Sequence, residues 1–179
     1  PFSAAELQPW YDEVERTIGV SGDKPLPLAP LAAHPAAALI EAAAAKLGFT
    51  AVPTPRAILT APYRGRAACL YCGYCGGYGC EVGAKSSTVV SFLAEAQATK
   101  RLTLRAGKTV LRLLRDAGGR ATGVEYADGP GARARVSARV VVLAASAVQS
   151  ARLLLLSEIP DEHGLIGKNL LFGTVATGA

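Results

Sequence analysis

The chain has 179 residues, of which 50% are apolar and 18% charged, a composition that excludes a disordered chain and allows one or two domains with a buried core. Its net charge is +5, but no run of adjacent basic residues accompanies that charge, which argues against nucleic-acid binding. No apolar stretch approaches the roughly 20 residues that cross a bilayer, so we expect no membrane span. The chain contains no Met and begins at Pro1, and we expect it to be an excerpt from a longer protein.

Two helices are predicted in the first fifty residues. Ser3 and Glu6 have the spacing of a capping box, apolar residues then recur at helical spacing, and Gly19 ends the helix. A proline-rich loop follows and leads to a second helix over residues 36–47. His34 stands just before that helix, where a turn or cap role is favoured over metal ligation.

All four cysteines of the chain lie in one short segment with the spacing Cys-x2-Cys-x2-Cys-x4-Cys: Cys69, Cys72, Cys75 and Cys80. Three thiolates two residues apart can reach different irons of one compact cluster, which favours an iron–sulfur site. Disulfides or free thiols, and less readily zinc, remain as alternatives. Short strands at residues 50–53 and 56–60 are predicted before this segment, and a helix over 89–100 after it.

An antiparallel meander is predicted in the second half of the chain. After a short strand at residues 102–104, three strands cover 110–115, 120–126 and 132–137, with Gly-containing turns between the last three.

The pattern then changes, because residues 140–144 are apolar at every position. Such a run is typical of a strand buried on both faces of a parallel sheet. Ser146 can cap the helix that follows, and the free amides at the start of that helix can face a cofactor. The predicted class is therefore α/β, α+β in part.

Several segments together resemble the glucose–methanol–choline (GMC) flavin oxidoreductases, and in particular their cysteine-bearing branch of gluconate- and sorbitol-type dehydrogenases. The segments that carry the resemblance are Trp10-Tyr11 with Glu15-Arg16, Cys72-Gly-Tyr-Cys75 with Gly79-Cys80 and Gly83-Ala84-Lys85, Gly123-Val124-Glu125-Tyr126, Val141 to Ser157, and Gly167-Lys168-Asn169-Leu170. Ser146 departs from the family pattern, in which Gly is usual at this position.

The resemblance implies a bound FAD and the oxidation of an alcohol or sugar hydroxyl by hydride transfer to the flavin. It implies that the backbone at Val110 contacts the adenine and that Ala145 and Ser146 lie beside the cofactor. It also implies a FAD-binding domain of the dinucleotide-binding type joined to part of a substrate or cap domain. The family's catalytic histidine segment is absent from this chain, so we assign no catalytic residue.

The resemblance also divides the chain. Residues 1–68 are predicted to belong to a substrate or cap region, 69–101 to the cysteine loop and its helix, 102–157 to the FAD-binding domain, and 158–179 to a return toward the substrate domain. The cysteine loop is then expected to pass electrons from FAD to an acceptor, such as a cytochrome or quinone-linked subunit. The alternative is a non-enzymatic iron–sulfur or zinc-binding electron-transfer module.

Overall fold

The computed structural model describes residues 2–23 and 25–173, which form two compact units divided between Thr103 and Leu104. In the first unit lie α1 (Ala4–Ile18), α2 (Pro35–Lys46), a π-helical turn (Val89–Leu93) and α3 (Ala94–Ala98). In the second lie β1 (Thr109–Arg115), β2 (Ala121–Ala127), β3 (Arg133–Ser137) and α4 (Ala147–Leu156). This mixture of helices and a small sheet confirms the predicted class.

Helix α1 begins with the predicted capping box. The Ser3 hydroxyl accepts the Glu6 amide at 3.2 Å, and the Glu6 carboxylate accepts the Ser3 amide at 2.8 Å, so two amides at the helix start are satisfied. Gly19 ends the helix in the left-handed conformation. The apolar face of α1 is less covered than its pattern suggests, since Trp10 and Tyr11 are exposed.

Helix α2 begins as predicted after the proline-rich loop. Pro35 takes the first helical position, and the Nδ1 atom of His34 accepts the Ala36 amide at 3.2 Å. His34 is therefore a cap residue, as the sequence indicated.

The core of the first unit is built from loops more than from regular strands. Leu59 and Ala84 are fully buried, and isolated bridges pair Ser21 with Arg56 and Ile58 with Lys85. The predicted strands at residues 50–53, 56–60 and 102–104 were wrong: the described residues there form no strand. Pro53 and Pro55 interrupt the chain between the first two segments, and in the second segment only isolated bridges form, at Arg56 and Ile58, where a ladder was expected.

The helix predicted over residues 89–100 forms with a wider first turn and ends at Ala98. In that turn the Leu93 amide donates to the Thr88 carbonyl at 2.8 Å, five residues back.

The predicted meander is confirmed as a sheet with the order β1-β2-β3 and antiparallel pairing throughout. In the β1–β2 turn, the Gly119 amide donates a hydrogen bond to the Asp116 carbonyl at 3.0 Å. The β1–β2 register shifts between Val110 and Arg112 and again near Leu114, and such irregularities bend a strand. Helix α4 packs on β1.

The uniformly apolar run at residues 140–144 forms no strand in the part of the chain that the structure describes. Val140 and Val142 are exposed, so the prediction of a strand buried on both faces was wrong for this structure. Such a strand needs a hydrogen-bonded neighbour and a covering layer, and the described residues supply no pairing to this run.

Ser157 joins α4 to the sheet. Its buried hydroxyl accepts the Leu113 amide at 2.8 Å and donates to the Leu153 carbonyl at 2.6 Å.

We expect Ser157→Ala to destabilise the second unit by about 1–3 kcal/mol, because it leaves the Leu113 amide buried without a partner. Denaturant unfolding of the whole protein measures this, with Ser137→Ala, at an exposed position of β3, expected to change stability by no more than about 0.5 kcal/mol. Equal effects of the two changes would contradict the assignment.

Candidate functional site

The cysteine segment is a loop held in place by Lys85. The Lys85 ammonium donates to the carbonyls of Cys75 at 2.9 Å and Tyr78 at 2.7 Å, while the Lys85 backbone pairs with Ile58, next to the fully buried Leu59. One side chain therefore ties the middle of the loop to the buried part of the first unit.

Aromatic contacts add to this anchoring. Tyr74 and Tyr78 pack edge to face, with ring centroids 5.8 Å apart, and the Tyr71 hydroxyl accepts the Ala32 amide at 3.2 Å. All three rings are still largely exposed.

The sulfurs of the four cysteines have different surroundings. Cys72 and Cys75 are exposed, whereas Cys69 and Cys80 are half-buried, and all four are free thiols. The Cys80 sulfur accepts the Lys85 amide at 3.4 Å. This hydrogen bond, helped by the neighbouring amides from Val82 to Ala84, lowers the pKa of the Cys80 thiol from its ordinary value.

The iron–sulfur prediction for Cys69, Cys72, Cys75 and Cys80 gains no support from this geometry. Within residues 2–23 and 25–173, no group of three or more His, Cys, Asp or Glu side chains is placed to hold a metal ion. The thiols in this arrangement do not fit a cluster, which needs its ligands to converge.

The predicted FAD contacts lie in the second unit. Val110 is in β1, which is an edge strand of the three-stranded sheet, and edge strands present backbone donors and acceptors to a ligand or another chain. Helix α4, which packs on β1, begins directly after Ala145 and Ser146. The structure thus places all three predicted residues on or beside two elements in mutual contact.

The start of α4 is open, which differs from the prediction. Ser146 precedes the helix, but its side chain makes no cap hydrogen bond, so the first amides of α4 are not satisfied by that hydroxyl. Its backbone, at φ 72° and ψ 165°, lies in a region that is essentially restricted to glycine. The resemblance places Gly at this position, and the observed conformation explains why.

Replacing Ser146 tests this strain. We expect Ser146→Gly to raise the stability of the whole protein by about 1 kcal/mol, because glycine adopts this conformation without a Cβ penalty. Ser146→Ala removes the same hydroxyl but keeps the Cβ, so it should stay within about 0.5 kcal/mol of the parent. Thermal unfolding midpoints of the three proteins decide the matter, and a stabilising Ser146→Ala would rule out the backbone explanation.

A second polar cluster was missed from the sequence. The Glu125 side chain on β2 is 5% exposed and pairs with Arg112 at 3.3 Å, Arg133 at 3.3 Å and Arg135 at 3.0 Å. Arg112 and Arg135 stand opposite Glu125 in the register, and Arg133 lies on the diagonal. The alternation of Arg133 and Arg135 along β3 was the available signal, but only the strand register shows that these arginines and Arg112 meet Glu125.

Arg135 and Arg112 lower the pKa of the Glu125 carboxyl below its ordinary value; the Arg135 hydrogen bond is the largest cause, and burial acts in the opposite direction. A carboxyl whose pKa is depressed by folding contributes stability above its unfolded pKa, and this contribution is lost as the pH falls through the folded pKa. We therefore expect acidification from about pH 6 to pH 3 to lower the unfolding midpoint of the parent more than that of Glu125→Gln. Glu162→Gln, at an exposed site, should keep the parental pH profile; a Glu125→Gln profile parallel to the parent's would contradict the expectation.

In the described part of the chain, no helix has the length and apolar character needed to cross a membrane.

Comparison with known proteins agrees with the resemblance. The family described as GMC oxidoreductase matches residues 1–175. The chain is 39% identical to 6'''-hydroxyparomomycin C oxidase of Streptomyces lividus over 94% of its length and 33% of the relative's. It is 38% identical to paromamine 6'-oxidase of Streptomyces fradiae, and the match covers 95% of this chain and 34% of the relative. It is 29% identical to gluconate 2-dehydrogenase flavoprotein of Pantoea cypripedii, and the match covers 96% of this chain and 34% of the relative.

The chain therefore spans about a third of the length of these relatives. Because the family match covers nearly every residue, the chain belongs to the GMC oxidoreductase family.

Proposed function

We propose that this chain is part of an FAD-dependent enzyme that oxidises an alcohol or sugar hydroxyl by hydride transfer to the flavin. The observation that carries the proposal is the family match over residues 1–175. Relatives that share this region are named as oxidases and dehydrogenases. No catalytic residue is assigned within the chain, so the proposal concerns the whole protein.

The second unit contains groups that suit a FAD. The open start of α4 offers backbone amides to an anionic or polar acceptor group, and Ala145 and Ser146 would lie beside it. Val110, on the edge strand β1, would offer its backbone to the adenine. The flavin supplies the hydride acceptor when bound; these residues bind and orient it.

The names of the relatives suggest a class of substrate. Two of them are oxidases named for hydroxyparomomycin C and paromamine, and the third is named for gluconate. We propose a polyhydroxylated, sugar-like molecule as the substrate of the whole protein.

The test uses the whole protein that carries this chain. We expect it to purify with the visible absorbance of an oxidised flavin and to lose that absorbance anaerobically when paromamine or gluconate is added. A matched sample with cyclohexane should keep its absorbance, because cyclohexane has no hydroxyl to oxidise. A protein without flavin absorbance, even after incubation with FAD, would refute the proposal.

An iron–sulfur cluster as the electron exit, and an acceptor subunit beyond it, stay predictions from the sequence. The geometry of Cys69, Cys72, Cys75 and Cys80 does not favour a cluster, so no step of the proposal passes through one. Iron and acid-labile sulfide in the anaerobically purified protein, lost in Cys72→Ser but kept in Ser87→Ala, would restore that prediction. If neither iron nor acid-labile sulfide is found, the four cysteines would act as free thiols and not as cluster ligands.

A further inference from the structure

The arginines around Glu125 carry more charge than the carboxylate can neutralise. Three guanidiniums face one carboxylate, so the cluster keeps two positive charges. The arginine side chains of residues 112, 133 and 135 are 49%, 68% and 64% exposed, whereas the Glu125 side chain is 5% exposed. The negative charge is therefore buried beneath an outer layer of positive charge.

Most of the hydrogen-bond donors of this layer are available for another acceptor. Each guanidinium has five N–H donors in a rigid fork. Among the described residues, Arg133 donates to Glu125 through Nη1 and Arg135 through Nε, and Arg112 approaches it with Nε and Nη2. Both oxygens of the Glu125 carboxylate accept hydrogen bonds from the guanidinium groups. Glu125 therefore orders the three arginine side chains, which reduces the conformational entropy that they lose on binding a ligand.

A cavity adjoins this cluster within the second unit. It has a volume of about 570 Å³ and is lined by Arg112 and Arg135 together with Arg115. Asp116 and Glu158 also line it. Of these two, Asp116 accepts the Arg120 amide at 2.9 Å, and the backbone carbonyl of Glu158 accepts Arg115 at 2.8 Å. Arg112 and Arg135 therefore belong both to the cluster around Glu125 and to the lining of the cavity.

We propose that Arg112, Arg133 and Arg135, ordered by the buried Glu125 carboxylate, form a binding site for a phosphate group. Forked guanidiniums match the oxygens of a phosphate bidentately, which a monovalent halide cannot reproduce. Two uncompensated positive charges suit a dianion, and the cavity has room for a small molecule attached to the phosphate. None of these three arginines is among the predicted FAD contacts, which are Val110, Ala145 and Ser146.

Calorimetric titration of the flavin-loaded whole protein tests the site. The probe is inorganic phosphate, at an ionic strength held constant with potassium chloride. We expect saturable binding with one site per chain. Arg133→Gln should weaken it at least tenfold while Arg112 and Arg135 still hold Glu125, and Arg135→Gln should weaken it similarly.

Arg139→Gln is the matched control, because it removes the same charge from an exposed position of the same unit. It should change the phosphate affinity by less than about twofold. Equal weakening by Arg139→Gln, or a heat signal without saturation, would mean general charge attraction and overturn the proposal. Loss of flavin absorbance from Arg133→Gln would assign the cluster to the cofactor and overturn a separate site.

The source of the phosphate group is distinguished by a second titration with glucose 6-phosphate. Tighter binding than that of inorganic phosphate supports a phosphorylated metabolite, and equal binding supports the free ion. Thermal midpoints of all variants without phosphate show that each is folded at the temperature of titration. Lack of binding of both probes to the folded parent overturns the proposal.

Discussion

Gly123→Ala is expected to destabilise the second unit by about 2–4 kcal/mol. A Cβ at this position would overlap the Val136 carbonyl oxygen of β3 and would stand 3.0 Å from the Ser137 Cα atom. Both obstacles are backbone atoms of a paired strand, since Gly123 is the register partner of Ser137 and Val124 that of Val136. The strands must separate to relieve the overlap, which costs ladder hydrogen bonds.

The matched control is Gly118→Ala in the β1–β2 turn. A Cβ there meets only the Asp116 carboxylate oxygen at an ordinary 3.4 Å, so stability should change by no more than about 1 kcal/mol. Denaturant unfolding of the whole protein measures both changes. If Gly123→Ala were as mild as Gly118→Ala, the β2–β3 register described here would be wrong.

Gly19→Ala is expected to destabilise the first unit by about 2–4 kcal/mol. The residue ends α1 at φ +76°, and a Cβ there would overlap a methyl group of Leu59 and stand 3.0 Å from the Tyr63 ring. Leu59 is fully buried, and the Tyr63 hydroxyl is tied to the Arg16 carbonyl at 2.8 Å. Neither side chain can withdraw without disturbing the core or breaking that hydrogen bond.

Gly48→Ala separates the two sources of this effect. Gly48 follows α2 with nearly the same backbone angle, φ +77°, but a Cβ there meets nothing within 4 Å. Its replacement should cost only the left-handed strain, about 1 kcal/mol. The difference between the two unfolding free energies then measures the packing around Gly19. A difference near zero would show that the overlap with Leu59 and Tyr63 is relieved without cost.

The candidate site could be predicted from the sequence only in part. Val110, Ala145 and Ser146 came from the family resemblance, and their assignment to FAD stays a prediction. The positive φ of Ser146 and the lack of a side-chain cap on α4 are properties of the backbone path, which a serine in the sequence does not reveal. The hydrogen bonds from Lys85 to Cys75 and Tyr78 likewise join residues ten and seven positions apart, through a loop whose conformation no periodicity predicts.

What the sequence determined by itself is local: the capping box at Ser3, the cap at His34, the breaks at glycines, and the three strands of the meander. Each depends on neighbouring side chains, on hydrogen bonds within a few residues, or on alternation along one strand.

Tertiary structure alone decided which apolar residues of the sequence pattern are buried and which charged side chains form ion pairs. Trp10 and Val142 are apolar in pattern yet exposed, because burial requires a second surface that periodicity cannot supply. Glu125 is charged yet buried beneath three arginines, because strand register brings to one carboxylate the cations that offset its desolvation.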